Sequence, residues 1–212
     1  MFTSATPCVA FHDDRQIAEG ALSAVARLTK PLLDQGDSSL LIFDATSSEL
    51  IQFDIRGSID DVLARLPAPA AVAPDPQPEA AAARGPGRPK LGVVAREVTL
   101  LPRHWEWLAG QRGGASVALR RLIDEARHAN KDKDRIRHAQ ESAYRFIAAL
   151  GENKPHYEEV ARALFAGDAD RFARWTAEWP ADVRDHARRL AAAAFDRPPT
   201  APVSVDPAAA NR

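Results

Sequence analysis

Cysteine is almost missing from this chain of 212 residues: Cys8 stands alone. One thiol cannot close an internal disulfide and leaves no Cys cluster for structural zinc, so a disulfide-stapled secreted fold is excluded and a reducing compartment is expected. Long hydrophobic runs are missing too. Nothing approaches the ~18 apolar residues that a membrane span requires, and Met1 to Phe11 places no basic residue ahead of its short apolar stretch. These absences make a cytoplasmic protein without membrane contact the expectation. Catalytic signatures are equally scarce. There is no phosphate-cradling Gly loop and no Gly-x-Ser-x-Gly elbow, and Cys8 has no basic neighbour to activate it. Histidines 12, 104, 128, 138, 156 and 186 include no His-Glu-x-x-His pair. Asp182 and His186, four apart, read as a helix-surface pair rather than cation ligands. The expectation is therefore no enzyme, no cofactor and no metal.

What is present is an uneven charge. The whole chain carries −1, but Met1 to Leu66 holds 5 basic and 10 acidic residues, whereas Arg84 to His138 holds 13 basic and 6 acidic. The middle is the only basic block. An excess of this kind is how a nucleic-acid-binding surface shows itself in sequence, because neutralising phosphates releases counterions; a solvated helical face would produce the same excess.

The pattern predicts an α+β protein in five stretches. Residues 1–66 read as an acidic ββαββα unit. A first hairpin spans Pro7–Phe11 and Gln16–Glu19, and a helix over Ala21–Leu33 is interrupted near Pro31. A second hairpin spans Leu40–Phe43 and Leu50–Ile55, and a helix from Ile59 is capped by Ser58 with Asp61. About 60 residues bury only about 60% of their unfolded surface, so this unit is marginal alone and is expected to dock on the rest or dimerise. Residues 67–90, rich in Pro, Ala and Gly, read as a spacer. Residues 91–130 read as strand, helix, turn, helix. Residues 131–195 read as helices over Ile136–Leu150, Tyr157–Phe165, Asp168–Trp179 and Ala181–Phe195, with Gly151 and Gly167 at stops and Pro155 and Pro180 at starts. Residues 196–212 are expected to be disordered.

The 91–130 stretch carries the functional signal. Arg96–Leu101 is short and β-prone, and Pro102 ends it. Trp105, Leu108 and Ala109 share one helical face, Gly113-Gly114 breaks the helix, and Ser116 is placed to cap a second one bearing the stripe Leu119, Leu122, Ile123, Ala126. A lone strand has unpaired backbone groups and two short helices cannot cover their own apolar face. Two copies solve both problems by pairing strands across a two-fold axis. In Val98-Thr99-Leu100-Leu101-Pro102, Trp105, Leu108, Gly114-Ala115-Ser116 and Ala118–Ile123, residues 95–128 resemble the ribbon-helix-helix (Arc/MetJ-like) DNA-binding family. The resemblance implies a ribbon in the major groove, with Arg96 and Thr99 as candidate readers. It also implies phosphate held by Ser116 and neighbouring amides, with Arg103 nearby. Either Val98 and Leu100 or Thr99 and Leu101 face the core; the pattern leaves the register open.

Immediately upstream, Gly87-Arg88-Pro89 followed by Lys90 resembles the centre of an AT-hook, although Pro86 stands where such a hook has arginine. Arg88 and Lys90 join the candidate DNA contacts. Across its length, and most distinctively over Gly87–Arg127, the chain also resembles a bacterial family of unknown function. The expectation is a homodimer on double-stranded DNA acting as a transcription regulator, with a homodimeric protein-interaction module as the alternative. A protein or small-ligand partner for the acidic N-terminal unit is left open.

Overall fold

The computed structural model describes residues 2–69 and 96–196. They fall into two compact units: the described residues of Met1–Pro69 with Asp132–Arg212, and those of Ala70–Lys131. Most of the 67–90 spacer, with Arg88 and Lys90, and nearly all of the tail lie outside the described residues.

The first unit is built on a three-stranded antiparallel sheet of order β2-β1-β3. Strand β1 (Pro7–His12) turns through Asp13-Asp14 into β2 (Arg15–Ala21), and Asp13 takes the left-handed φ of 52° that a two-residue hairpin loop demands. Helix α1 (Leu22–Asp34) leads to β3 (Leu40–Asp44), which pairs on the other side of β1. Helix α2 (Ile59–Arg65) follows, and Ser58 and Asp61 form the reciprocal capping box that the sequence predicts.

The central strand explains the architecture. Successive side chains leave a strand on opposite faces, so the unbroken apolar run Cys8-Val9-Ala10-Phe11 needs cover on both sides. Cys8 and Ala10 pack with Leu22, Val25, Ile42, Ile51 and Leu66. Val9 and Phe11, with Phe43, pack against a second layer supplied from far along the chain. This layer comprises the end of a long helix α4 (Gly114–Leu150), then α5 (Tyr157–Ala166), α6 (Ala169–Trp175) and α7 (Ala181–Ala191), with a short 3-10 turn, Ala192–Ala194. Phe146 is fully buried there, its ring 5.1 Å from that of Phe11 and 5.4 Å from that of Phe43. The stretches expected as separate, 1–66 and 131–195, thus share one sheet. A buried hydroxyl pair joins them, Ser48 Oγ to Ser142 Oγ at 3.0 Å, and Ser142 also donates to the carbonyl of Thr46.

Two glycines are required by geometry. Gly167 ends α5 at φ 70°, letting its N–H reach Leu164 and that of Asp168 reach Ala163. At Gly151 a Cβ would come within 2.6 Å of both the Ile147 carbonyl and the Trp179 ring, so glycine is what lets Trp179 close over the end of α4. The Trp179 indole N–H is satisfied by the Pro155 carbonyl at 2.8 Å.

Four expectations are corrected. The second hairpin forms only in part: after β3 the chain makes one isolated bridge, Phe43 to Leu50, flanked by Asp44 N–H donating to the Glu49 carbonyl at 2.9 Å and Ile51 N–H donating to the Ile42 carbonyl at 2.8 Å, and then leaves the sheet, with the Ile51 side chain buried among Leu22, Val25 and Leu66. The N-terminal unit is therefore ββαβα. Pro31 does not interrupt α1, which continues to Asp34. The helix expected from Ile136 instead begins at Gly114 without a break. The intervening stretch holds neither Gly nor Pro, and its charges pair along the helix, Arg137 with Asp134 at 2.9 Å and Arg135 with Asp132 at 3.9 Å. Finally, Arg96–Leu101 is not a strand. It is an irregular stretch ahead of α3 (Pro102–Ala109), and no strand pairs with it among the described residues of its unit.

Candidate nucleic-acid interface

The second unit consists of an irregular lead-in, α3, a tight turn and the first turns of α4. Pro102 occupies the first turn of α3, where its missing N–H is not needed and its fixed φ suits the helix. The preceding Leu101 is in extended conformation, and its carbonyl accepts from the His104 N–H at 2.8 Å. The turn ends in Gly113 and Gly114 at φ 85° and 76°. A Cβ on Gly113 would lie 3.1 Å from Val117, so this reversal needs glycine for both conformation and space. Leu108 of α3 and Ala118 of α4 are buried.

Much apolar surface of this unit is uncovered. Leu100, His104, Trp107, Leu108, Leu119 and Leu122 line an open hollow of about 250 Å³. Around it Val98, Leu101, Trp105, Trp107, Val117 and Ile123 are all more than 40% exposed. Within α4, every residue from Arg121 to Lys133 is exposed. The helical stripe read from the sequence is real, but within one chain it covers little. The expected face of α3 is Trp105, Leu108 and Ala109, but His104 and Trp107 line the hollow with Leu108; the three-residue spacing of His104 and Trp107 was the available signal.

The basic residues lie on the same unit. Arg96, Arg103, Arg112, Arg120, Arg121, Arg127 and Lys131 are exposed, against Glu97, Glu106, Asp124 and Glu125. Among the described residues of this unit one ion pair forms, Arg121 to Glu125 at 3.6 Å. Of the candidate DNA contacts, Arg96 and Thr99 are exposed on the lead-in and Arg103 in the first turn of α3. Ser116 is exposed but does not cap: α4 starts two residues earlier, and the Ser116 carbonyl accepts from Arg120 Nε at 3.1 Å. Helix propagation through Gly114 and Ala115 moves the start upstream of the expected cap.

The family model described as "Uncharacterized protein conserved in bacteria (DUF2239)" matches residues 7–191, which takes in both units. The chain belongs to that family. No curated protein and no solved structure matches it. The match is to this bacterial family over most of the chain; it lends no support to membership of the ribbon-helix-helix family, whose ribbon strand is not formed among the described residues. Among the described residues there is no helix long and apolar enough to cross a membrane and no group of three or more potential metal ligands. Asp182 and His186 do not face a common ion: Asp182 accepts from the backbone N–H of Gln16 at 2.9 Å, while His186 is buried.

Proposed function

We propose that this protein binds double-stranded DNA as a homodimer through residues 96–131 and regulates transcription. The observation that carries the reading is a coincidence within one small unit. An irregular lead-in with no strand partner among the described residues and an open apolar hollow belong to the same unit as seven exposed cationic side chains. The hollow and the exposed Trp105, Trp107 and Ile123 have the composition of an interface core. A second copy would cover them and lend Arg96–Leu101 a backbone partner, which is the ribbon-helix-helix arrangement. The turns at Gly113-Gly114 leave the first N–H groups of α4 available for a phosphate, beside Arg112 and Arg120. Arg88 and Lys90 would extend the contact into an adjacent minor groove.

Anisotropy titration of labelled random and A·T-rich duplexes across a salt series tests this. Neutralising about six phosphates gives a log–log slope of about −5, a loss of about a thousandfold between 50 and 200 mM salt. Replacing Arg88 and Lys90 by Ala weakens duplex binding and leaves dimerisation unchanged.

One observation favours a second reading. Val98 and Leu101 are both exposed, 53% and 48%, and leave a reading face poor in polar groups. If the surface serves assembly alone, the chain dimerises yet binds no duplex at any salt, and the DNA proposal is refuted.

A further inference from the structure

A cavity of about 380 Å³ opens on the first unit between β2, the turn after β3, α4 and α7. Its lining is Ala45, Ala139 and Leu190, with Glu19, His138 and Arg189 supplying charge or hydrogen bonds. The arrangement of Arg189 is unusual. One guanidinium nitrogen, Nη2, donates to His186 Nδ1 at 2.6 Å, and the other, Nη1, lies 3.6 Å from Glu19 Oε2. Gln16 in turn steadies Glu19 by donating its amide to Oε2 at 2.8 Å.

His186 is 3% exposed, its ring centroid 4.5 Å from that of Phe146 and 5.3 Å from that of Phe11. Because Nδ1 accepts from arginine, the neutral ring carries its proton on Nε2. That atom has no hydrogen-bond partner among the described residues. Burial of this kind holds the imidazole neutral, its pKa pushed down to about 4 chiefly by desolvation and further by Arg189. An apolar residue at 186 would pack between the same phenylalanines without an orphaned donor. What the histidine supplies instead is an acceptor that fixes Arg189 at the cavity mouth, and a guanidinium held in advance is what binding a carboxylate requires.

We propose that this cavity binds a small apolar α-amino acid, its carboxylate on Arg189, its ammonium on Glu19 and its side chain against Ala139 and Leu190. Glu19 and Arg189 pair with each other at 3.6 Å, so a carboxylate alone that takes Arg189 would leave Glu19 without its cation, and an amine alone that takes Glu19 would leave Arg189 without its anion. A zwitterion with both charges on neighbouring atoms satisfies each, and the lining selects an apolar side chain of modest size. The site belongs wholly to the first unit and does not depend on the DNA-binding reading.

Isothermal titration of the full chain with L-leucine, L-valine and L-alanine tests it, with 4-methylpentanoate and 3-methylbutylamine as leucine lacking one charge each. The expected result is single-site binding of at least one amino acid. Each one-charge analogue binds at least about tenfold more weakly, and Arg189→Met and Glu19→Gln each lose about tenfold, as expected for removing a hydrogen bond to a charged group. Glu19→Gln, on an exposed strand position, keeps the test sound if Arg189→Met folds poorly. His186 acts here as a positioning residue: His186→Phe melts no lower than the parent yet binds the amino acid less tightly. Absence of heat with all three amino acids overturns the proposal. So does equal binding of 4-methylpentanoate, or unchanged affinity in Glu19→Gln and Arg189→Met. A His186→Phe chain that melts lower and binds normally removes the positioning role and the argument built on it.

Discussion

Acidification should weaken the first unit through His186 before any carboxylate contributes. Folding pushes this imidazole from 6.5 down to about 4, burial being the main cause, with Arg189 adding to it and Glu19 opposing. Between those two values the unfolded chain binds a proton at 186 that the folded chain excludes, so stability rises with pH across this window and is lost as pH falls through it. Below about pH 4 both states carry the proton and the loss stops growing. The interval corresponds to about 3 kcal/mol, or a fall of about 6–12 °C in Tm for a chain of this size. The carboxylates act lower. Asp37 is held below its usual value first by the Ser39 N–H, with His12 helping, Asp61 by the Ser58 hydroxyl, and Asp185 by Arg184, so their contributions fade only as pH falls below the ordinary carboxylate range. Calorimetric melting from neutral pH to pH 4 separates the two. His186→Phe, which cannot titrate and remains in contact with Phe11 and Phe146, should flatten the upper part of the curve. If the parent and His186→Phe lose stability in parallel between pH 6.5 and 4, the buried neutral imidazole is not the cause and the reasoning fails.

Phe146→Ala should destabilise by about 3–5 kcal/mol in denaturant unfolding, because a fully buried ring between Phe11 and Phe43 leaves a cavity that the sheet cannot collapse into. Gly151→Ala should cost about 1–3 kcal/mol by forcing Trp179 away from the end of α4, and a Trp fluorescence change should accompany the lower Tm. Leu122→Asp, at a position 38% exposed in the single chain, should abolish dimerisation in sedimentation or light scattering while the first unit melts as before. Ser58→Ala removes the cap of α2 and should lower stability by about 1 kcal/mol, with no effect on duplex binding.

Local pattern was enough for most of the elements. The turn His12-Asp13-Asp14-Arg15 implied the first hairpin, Ser58 with Asp61 the start of α2, Gly113-Gly114 the reversal between α3 and α4, and Gly167 and Pro180 the ends of the C-terminal helices. Each rests on a residue whose backbone freedom or side-chain hydrogen bond acts over a few positions, so the signal survives without knowledge of the rest of the chain. Charge asymmetry and the exposed stripe of Leu122 and Ile123 were legible in the same way.

Tertiary structure decided what those elements do together. The apolar run Cys8–Phe11 says that β1 is buried on both faces, but not that helices more than a hundred residues away supply one of them. Leu50–Ile55 alternates like a strand, yet only its start meets β3: Ile51 N–H still donates to the Ile42 carbonyl while its side chain enters the core with α1, and the ladder stops at one bridge. Arg96–Leu101 has strand composition without a strand, since a ladder needs a second edge and the described residues of its unit offer none. The Glu19, His186 and Arg189 cluster is spread over more than 160 positions of sequence, and only the closing of α7 onto β2 gives it a common cavity. Short-range preferences act through covalent neighbours and can be read one window at a time; pairing, burial and the neutralisation of a histidine depend on which distant surfaces meet.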